Sequence, residues 1–380
     1  MGVPLAATAD GLPHVQLPPS SGSARLALRD VLRTIIDTTP VFVSFSGGRD
    51  SSAVLAVATS VAREHGRPLP VPITYRYPGN AEANEDEWQE LVLRHLGVTE
   101  RVVVTITGQQ RLLSENAQES MARRGLVWPP SLNLQHEMFD RVRGGVLLTG
   151  EGGDEMFIGR RSAPVARLRR TIQRKQRPRL RVVSDAARAL LPRGRQVRTE
   201  VEETWARVAP WLRGPAREQF IEAIAEDFVE PLRWDRSIRR TIRRPLARAI
   251  YHNMDLVARD YDIRLVHPLL APEFVSAWID EGGRWGFTGR TAAMRHAFAD
   301  VLPEPILGRS TKSFFNAARM GPFERSFARQ WSGTGLDLEH VDAELLREAW
   351  LNEDFIGRSD SALMAAWMAS EGLPLDGPAR

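Results

Sequence analysis

Short apolar runs and helical periodicities alternate through the first 150 residues of the chain. Val41-Phe42-Val43-Ser44-Phe45 is too short for a helix and is bounded by Pro40 and Gly47, which predicts a buried strand. Before it, Leu28, Val31, Leu32, Ile35 and Ile36 recur at helical spacing. They predict a helix from Ala24 to about Thr38, with Ser23 as its N-cap. A second helix is expected over 51–65, stopped by Gly66. Val71 to Tyr77 and Val102 to Ile106 read as further strands. Between them, Asn80 to Leu96 is acidic at its start and ends at Gly97, as a helix would. Helices are predicted over 109–123 and 132–143, and a strand from Val146 into Gly150.

This alternation predicts an α/β fold, a mostly parallel sheet with helices on both faces. Ligands of such sheets bind at the carboxyl ends of strands. After about residue 160 the strand patterns fade. Helix-compatible segments follow, punctuated by Pro178, Pro192, Pro210, Pro215, Pro231 and Pro245. The organisation expected is a flexible lead over 1–22, an α/β core over 23–160 and a mainly helical part over 161–380. There is no internal repeat.

Chemistry enters where two of these strands end. The first runs into Ser46-Gly47-Gly48-Arg49-Asp50-Ser51-Ser52. A Gly-rich turn between a strand and a helix lets backbone N–H groups approach an anion, and the helix adds its positive end. No G-x-x-x-x-G-K-[ST] occurs, so this is not the loop of the Walker type. The S-G-G-x-D-S pattern resembles the pyrophosphate-binding loop of enzymes that split ATP into AMP and pyrophosphate. The second strand runs into Thr149-Gly150-Glu151-Gly152-Gly153-Asp154-Glu155. Together the two motifs, about a hundred residues apart, resemble the synthetase domain of the asparagine synthetase family. That family includes asparagine synthetases, β-lactam synthetases and lasso-peptide cyclases.

The resemblance implies an ATP-dependent amide-forming synthetase. It would adenylate a carboxylate, releasing pyrophosphate, and pass the acyl group to an amine, releasing AMP. By match to the family's motifs, Ser44, Ser46, Gly47, Gly48, Asp50, Ser51, Ser52 and Gly150 would bind ATP, and Asp50 and Asp154 would hold Mg²⁺. Asp is also a common N-cap, so Asp50 could instead cap its helix. Glu151 matches the asparagine synthetases, where β-lactam synthetases have Tyr. It could orient an amine or take its proton, or simply hydrogen-bond within the turn. Pro303, Ile306 and Arg309 match the family's P-x-x-I-x-x-R-x-K-x-x-F stretch, with Lys312 one residue late. Arg309 would contact pyrophosphate and Lys312 the reacting centre, the alternative being a surface lysine. A third region matches only at Asp255 and Pro268. His252 and Asn253 replace Arg and Asp, Arg264 replaces Glu, Val266 replaces Arg, and Ala271 replaces the final Asp.

Composition narrows the choice. The chain has 380 residues and no cysteine, which excludes disulfides, thiolate metal sites and cysteine nucleophiles. The glutaminase of glutamine-dependent relatives uses a Cys directly after the initiator Met, whereas Gly2 stands here. No glutaminase is therefore expected. Thiolating enzymes that use the same loop typically need Cys, which disfavours that branch. Only Lys175 and Lys312 are lysine, against 49 arginines. No run approaches the ~18 apolar residues of a membrane span, and no secretion signal begins the chain, so a cytoplasmic protein is expected. Residues 160–213 hold 16 basic side chains against 4 acidic, a net of +12. A solvated helical face accounts for this. A docking surface for an acidic peptide, carrier protein or nucleic acid is the alternative. Little aromatic interleaving argues against a single-strand nucleic-acid platform.

The altered third region favours a specialised reaction, such as closing a lactam in a peptide. The stretch from Arg309 to Trp331 also resembles lasso-type cyclases. A precursor peptide or a leader-binding partner would then be involved. An ammonia-dependent asparagine synthetase is the alternative enzyme. An RNA-acting adenylating enzyme and a non-catalytic ATP-binding partner are the more distant readings.

Overall fold

The computed structural model describes residues 15–20, 22–38, 40–78, 80, 84–192, 194–311, 319–352 and 359–377. Five strands form one parallel sheet: β1 (Val41–Ser44), β2 (Val71–Arg76), β3 (Val102–Thr105), β4 (Val146–Leu148) and β5 (Arg264–Val266). Their order is β3-β2-β1-β4-β5. Phe42 stands opposite Val71 on one side and Leu147 on the other. The chain therefore builds outward from β1 through β2 to β3, then returns to place β4 on β1's other flank. That reversal between β1 and β4 is the switch point at which α/β sheets open a crevice. Both glycine motifs lie there.

Alternation along the strands sends successive side chains to opposite layers. Val41, Val43, Val146 and Leu148 join one core with α1 (Ala24–Ile36) and α2 (Arg49–Glu64). Phe42 and Leu147 face the other, with Met138, Phe139 and Val257. Ser23 caps α1 by accepting from the Arg25 N–H at 3.2 Å. α3 (Asp86–Leu96) ends at Gly97 in the left-handed region, φ 58°.

Several boundaries differ from the sequence reading. α3 begins at Asp86 rather than Asn80. The Asn84 amide accepts from the Tyr77 N–H and donates to the Tyr77 and Asn80 carbonyls, closing a loop before the helix. The segment predicted as a helix over 109–123 is helical only as α4 (Glu115–Arg124), because Ser114 caps it and bonds back to the Gln109 carbonyl. The predicted helix over 132–143 is a 3₁₀ turn, Pro130–Leu134, followed by α5 (His136–Arg141). β5 was not expected. It is three residues long at the sheet edge, with Arg264 exposed, and leaves almost no pattern.

Beyond residue 160 the described elements other than β5 are helical. Some return to the sheet. The helix Pro272–Gly282 packs on α1, and its Phe274 and Trp278 meet Phe157 edge-on at 6.4 and 5.3 Å, while Phe298 meets the same Phe157 edge-on at 5.5 Å. This aromatic cluster fixes α6 (Gly153–Phe157), the short helix of the second glycine motif. The Trp278 indole N–H also donates to the Met156 carbonyl at 3.0 Å. A second helical core, with Trp211, Trp331 and Trp350, forms away from the sheet.

Candidate active site

At the carboxyl ends of β1 and β4 the chain surrounds a cleft of about 610 Å³. Ser44, Ser46, Gly48, Asp50, Ser51, Gly150, Glu151, Asp154 and Arg309 all line it. Glycine is required for the two motifs to meet. Gly47 has φ +83°, and a Cβ there would lie 3.0 Å from the Gln89 side chain. A Cβ on Gly150 would come within 2.7 Å of the Ser51 nitrogen, and one on Gly153 would overlap the Asp50 carboxyl. The second motif therefore packs directly on the first.

Gly48, not Asp50, is the N-cap residue of α2, and no side chain caps that end. The capping alternative for Asp50 is thus not what the structure shows. First-turn N–H groups of a helix have no intrahelical partner and suit an anion. The Ser46 and Ser51 hydroxyls are 3.2 Å apart beside them. Gly47 lies behind the wall, and Ser52 is fully buried with its hydroxyl unpartnered among the described residues. Neither forms part of the lining.

The two aspartates converge on Arg290, a residue that no sequence pattern singled out. One guanidinium nitrogen of Arg290 lies 2.5 Å from Asp50 Oδ2, and the other pairs with Asp154. Burial pushes the Asp50 carboxyl above its ordinary value, and the attraction of Arg290 only partly offsets this. Burial lowers Arg290, but Asp50 and Asp154 together carry it above the usual guanidinium value. Arg290 stands at the start of the helix Arg290–Phe298. Its preceding loop is anchored by Phe287, stacked on Trp278 at 4.5 Å.

Arg309 also faces the cleft, with its charge already engaged. It donates to the Gly47 carbonyl at 3.0 Å, pairs with the buried Glu85, and lies 4.7 Å over the Trp88 ring. In this position it holds the glycine loop onto α3. Lys312 lies outside the described residues.

A polar chain runs along the end of β4. Tyr251 donates to Glu155 Oε1 at 2.9 Å, and its ring is 5.3 Å from that of His267. His267 Nδ1 bonds the Thr149 hydroxyl at 2.7 Å, and that hydroxyl accepts from the Glu151 N–H. Burial pushes the His267 imidazole down to about 4, although Asp255 pulls the other way. The ring is therefore neutral at pH 7. Sequence reading passed over it, since a lone His beside Pro268 carries no metal or catalytic spacing. The sign of its effect on stability follows from linkage. The unfolded ring takes its proton near 6.5 and the folded ring only near 4. Its contribution is full above pH 6.5 and is lost as pH falls toward 4, up to about 3 kcal/mol. His267→Asn, which cannot titrate, is expected to flatten the decline of the urea midpoint across that window.

Apolar side chains also line the cleft, among them Leu132, Met138, Phe139, Leu147, Ile250 and Met254. Hydrogen-bond donors together with apolar surface suit a nucleotide. For Mg²⁺ the donor set is also suitable. No group of three or more His, Cys, Asp or Glu placed to hold a metal occurs among the described residues. Mg²⁺ commonly uses one or two carboxylates with substrate phosphates and water. Asp50 Oδ1 is buried without a hydrogen-bond partner among the described residues, an oxygen that such a cation would satisfy.

The family model described as Asparagine synthase matches residues 24–370. The chain belongs to the asparagine synthase family. Members use ATP, and the chain is accordingly an ATP-dependent carbon–nitrogen ligase of the asparagine synthetase type. The parallel sheet with its glycine loop is the α/β fold of that family's synthetase domain. No curated protein matches the chain. Among the described residues no helix is long and apolar enough to cross a membrane.

Proposed function

We propose that this ligase adenylates a carboxylate of a peptide and closes it onto an amine of the same chain, forming a macrolactam. The observation that carries the adenylation step is the meeting of Asp50 and Asp154 beside the Ser46–Ser51 loop, at the sheet's switch point. The loop would receive the β- and γ-phosphates through backbone N–H and hydroxyl donors. Asp50 and Asp154 would hold Mg²⁺, which when bound offsets charge on the phosphates. A carboxylate oxygen attacks the α-phosphorus, the bond to the bridging oxygen breaks, and pyrophosphate leaves. The amine then attacks the acyl carbon, AMP leaves, and the amine's proton passes to a base. Glu151, on the cleft wall, is our candidate for that base, and Lys312 for a cation near the reacting centre.

The peptide reading is supported by the third region. Where the family pattern has Arg, this chain has Val266, and the neighbouring His267 is neutral. The wall formed by Ile250, Met254 and Leu265 is apolar. Such a surface suits a peptide side chain better than a small charged amino acid. The test is incubation with ATP, Mg²⁺ and candidate peptides carrying an acidic side chain and a free amino terminus. Loss of one water from the peptide, with AMP formed in equal amount, is expected. Amidation of free aspartate by ammonia, with peptides left unchanged, would replace the cyclase reading with that of an asparagine synthetase.

A further inference from the structure

Beside the main cleft lies a smaller recess of about 340 Å³. It is lined by Arg49, Arg290, Arg295, Arg309, Thr291 and Ser310 among others, and no carboxylate belongs to its described wall. Four guanidinium groups around one small volume need anions. Three of them have one. Arg290 pairs with Asp50 and Asp154, Arg295 with Glu304, and Arg309 with Glu85. Arg49 does not. Its polar contact is the Thr291 hydroxyl at 3.5 Å, and it forms no ion pair among the described residues. Burial lowers its pKa, with Arg290 and Arg309 acting in the same direction and Asp50 and Asp154 opposing them. The first turn of the helix Arg290–Phe298 also opens here, with no side chain capping it, so its N–H groups add to the same field.

Arg49, Arg290, Arg309 and Ser310 line both the recess and the main cleft. An anion could therefore pass from one to the other without leaving the cationic wall. The ligand must be compact and multiply charged, and the adenylation step releases one such group at this wall. We propose that the recess is an acceptor site for pyrophosphate, with Arg49 as its principal ligand. The inference rests on the adenylation reading above. A leaving group drawn aside in this way is displaced from the reacting phosphorus before the amine attacks, which disfavours the return of ATP.

The experiment is titration of the full chain with inorganic pyrophosphate, followed by calorimetry, and with a non-hydrolysable ATP analogue in parallel. Arg49→Gln is expected to weaken pyrophosphate about 10-fold or more, a charge-assisted contact being lost, and to weaken the analogue by a clearly smaller factor, since Arg49 also borders the main cleft. Arg295→Gln, at the recess's exposed edge, keeps the main cleft intact and is expected to weaken pyrophosphate a few-fold. It serves as the check if Arg49→Gln does not fold. Equal weakening of pyrophosphate and analogue would show a single shared triphosphate site and overturn the proposal, as would unchanged pyrophosphate affinity in both variants. These affinities are measured without turnover, and failure of the adenylation reading shows in a separate assay with ATP, as ADP and phosphate among the products.

Discussion

Asp50→Asn is expected to reduce substrate-dependent pyrophosphate release by on the order of 10³-fold while leaving the protein at least as stable as the parent. The loss of rate follows from the position of the carboxylate. It lines the cleft beside the glycine loop, and its Oδ1 has no hydrogen-bond partner among the described residues. Removing a group that stabilises developing transition-state charge typically costs about 10²–10³ in rate, and loss of a metal ligand adds to that. Stability is expected to move the other way because burial holds the carboxyl above its ordinary value. Its ionised form is thus disfavoured by folding at neutral pH, and an amide of the same shape relieves that cost. A fall in activity coupled with an unchanged or raised urea midpoint is the expected pair of results. Activity within tenfold of the parent would remove Asp50 from the reaction.

Glu85→Ala is expected to have the largest effect on stability, about 3–5 kcal/mol, because it leaves the buried Arg309 without its counter-charge. Both partners are at most 9% exposed. Arg309 would keep the Gly47 carbonyl and the Trp88 ring, neither of which carries a negative charge. The damage should extend to function, since Arg309 ties the glycine loop to the start of α3. Weaker binding of the ATP analogue should therefore accompany the lower urea midpoint. Replacing both residues, as Glu85→Leu with Arg309→Met, is expected to recover much of the stability and little of the binding. A Glu85→Ala midpoint equal to the parent's would show that the pair is dispensable to the fold.

Four of the five strands were legible because their signals are local, and β5 was not. A run such as 41–45, closed by proline and glycine, has few conformations other than a buried strand. The meeting of the two glycine motifs was also legible, since each follows a strand and the resemblance joins them. What escaped depends on long-range pairing. Arg290 is one of 49 arginines, and only the fold carries it across the chain to Asp50 and Asp154. The same holds for Arg309, which sequence alone placed on pyrophosphate and which the fold also commits to Glu85 and Gly47. Asp50 resembled a possible N-cap because residue type and position allow it. The helix begins two residues earlier than such a cap would need, with Gly48 at the capping place. His267 became notable only through Thr149, Tyr251 and its burial.

The most direct test of the central claim, adenylation in the cleft between the two glycine motifs, is identification of the nucleotide products. ATP labelled in the α-phosphate would be turned over with Mg²⁺ and candidate acids or peptides, with Asp154→Ala as control. AMP and pyrophosphate in equal amounts, dependent on substrate and lost in the variant, is the result predicted. ADP and inorganic phosphate would contradict it.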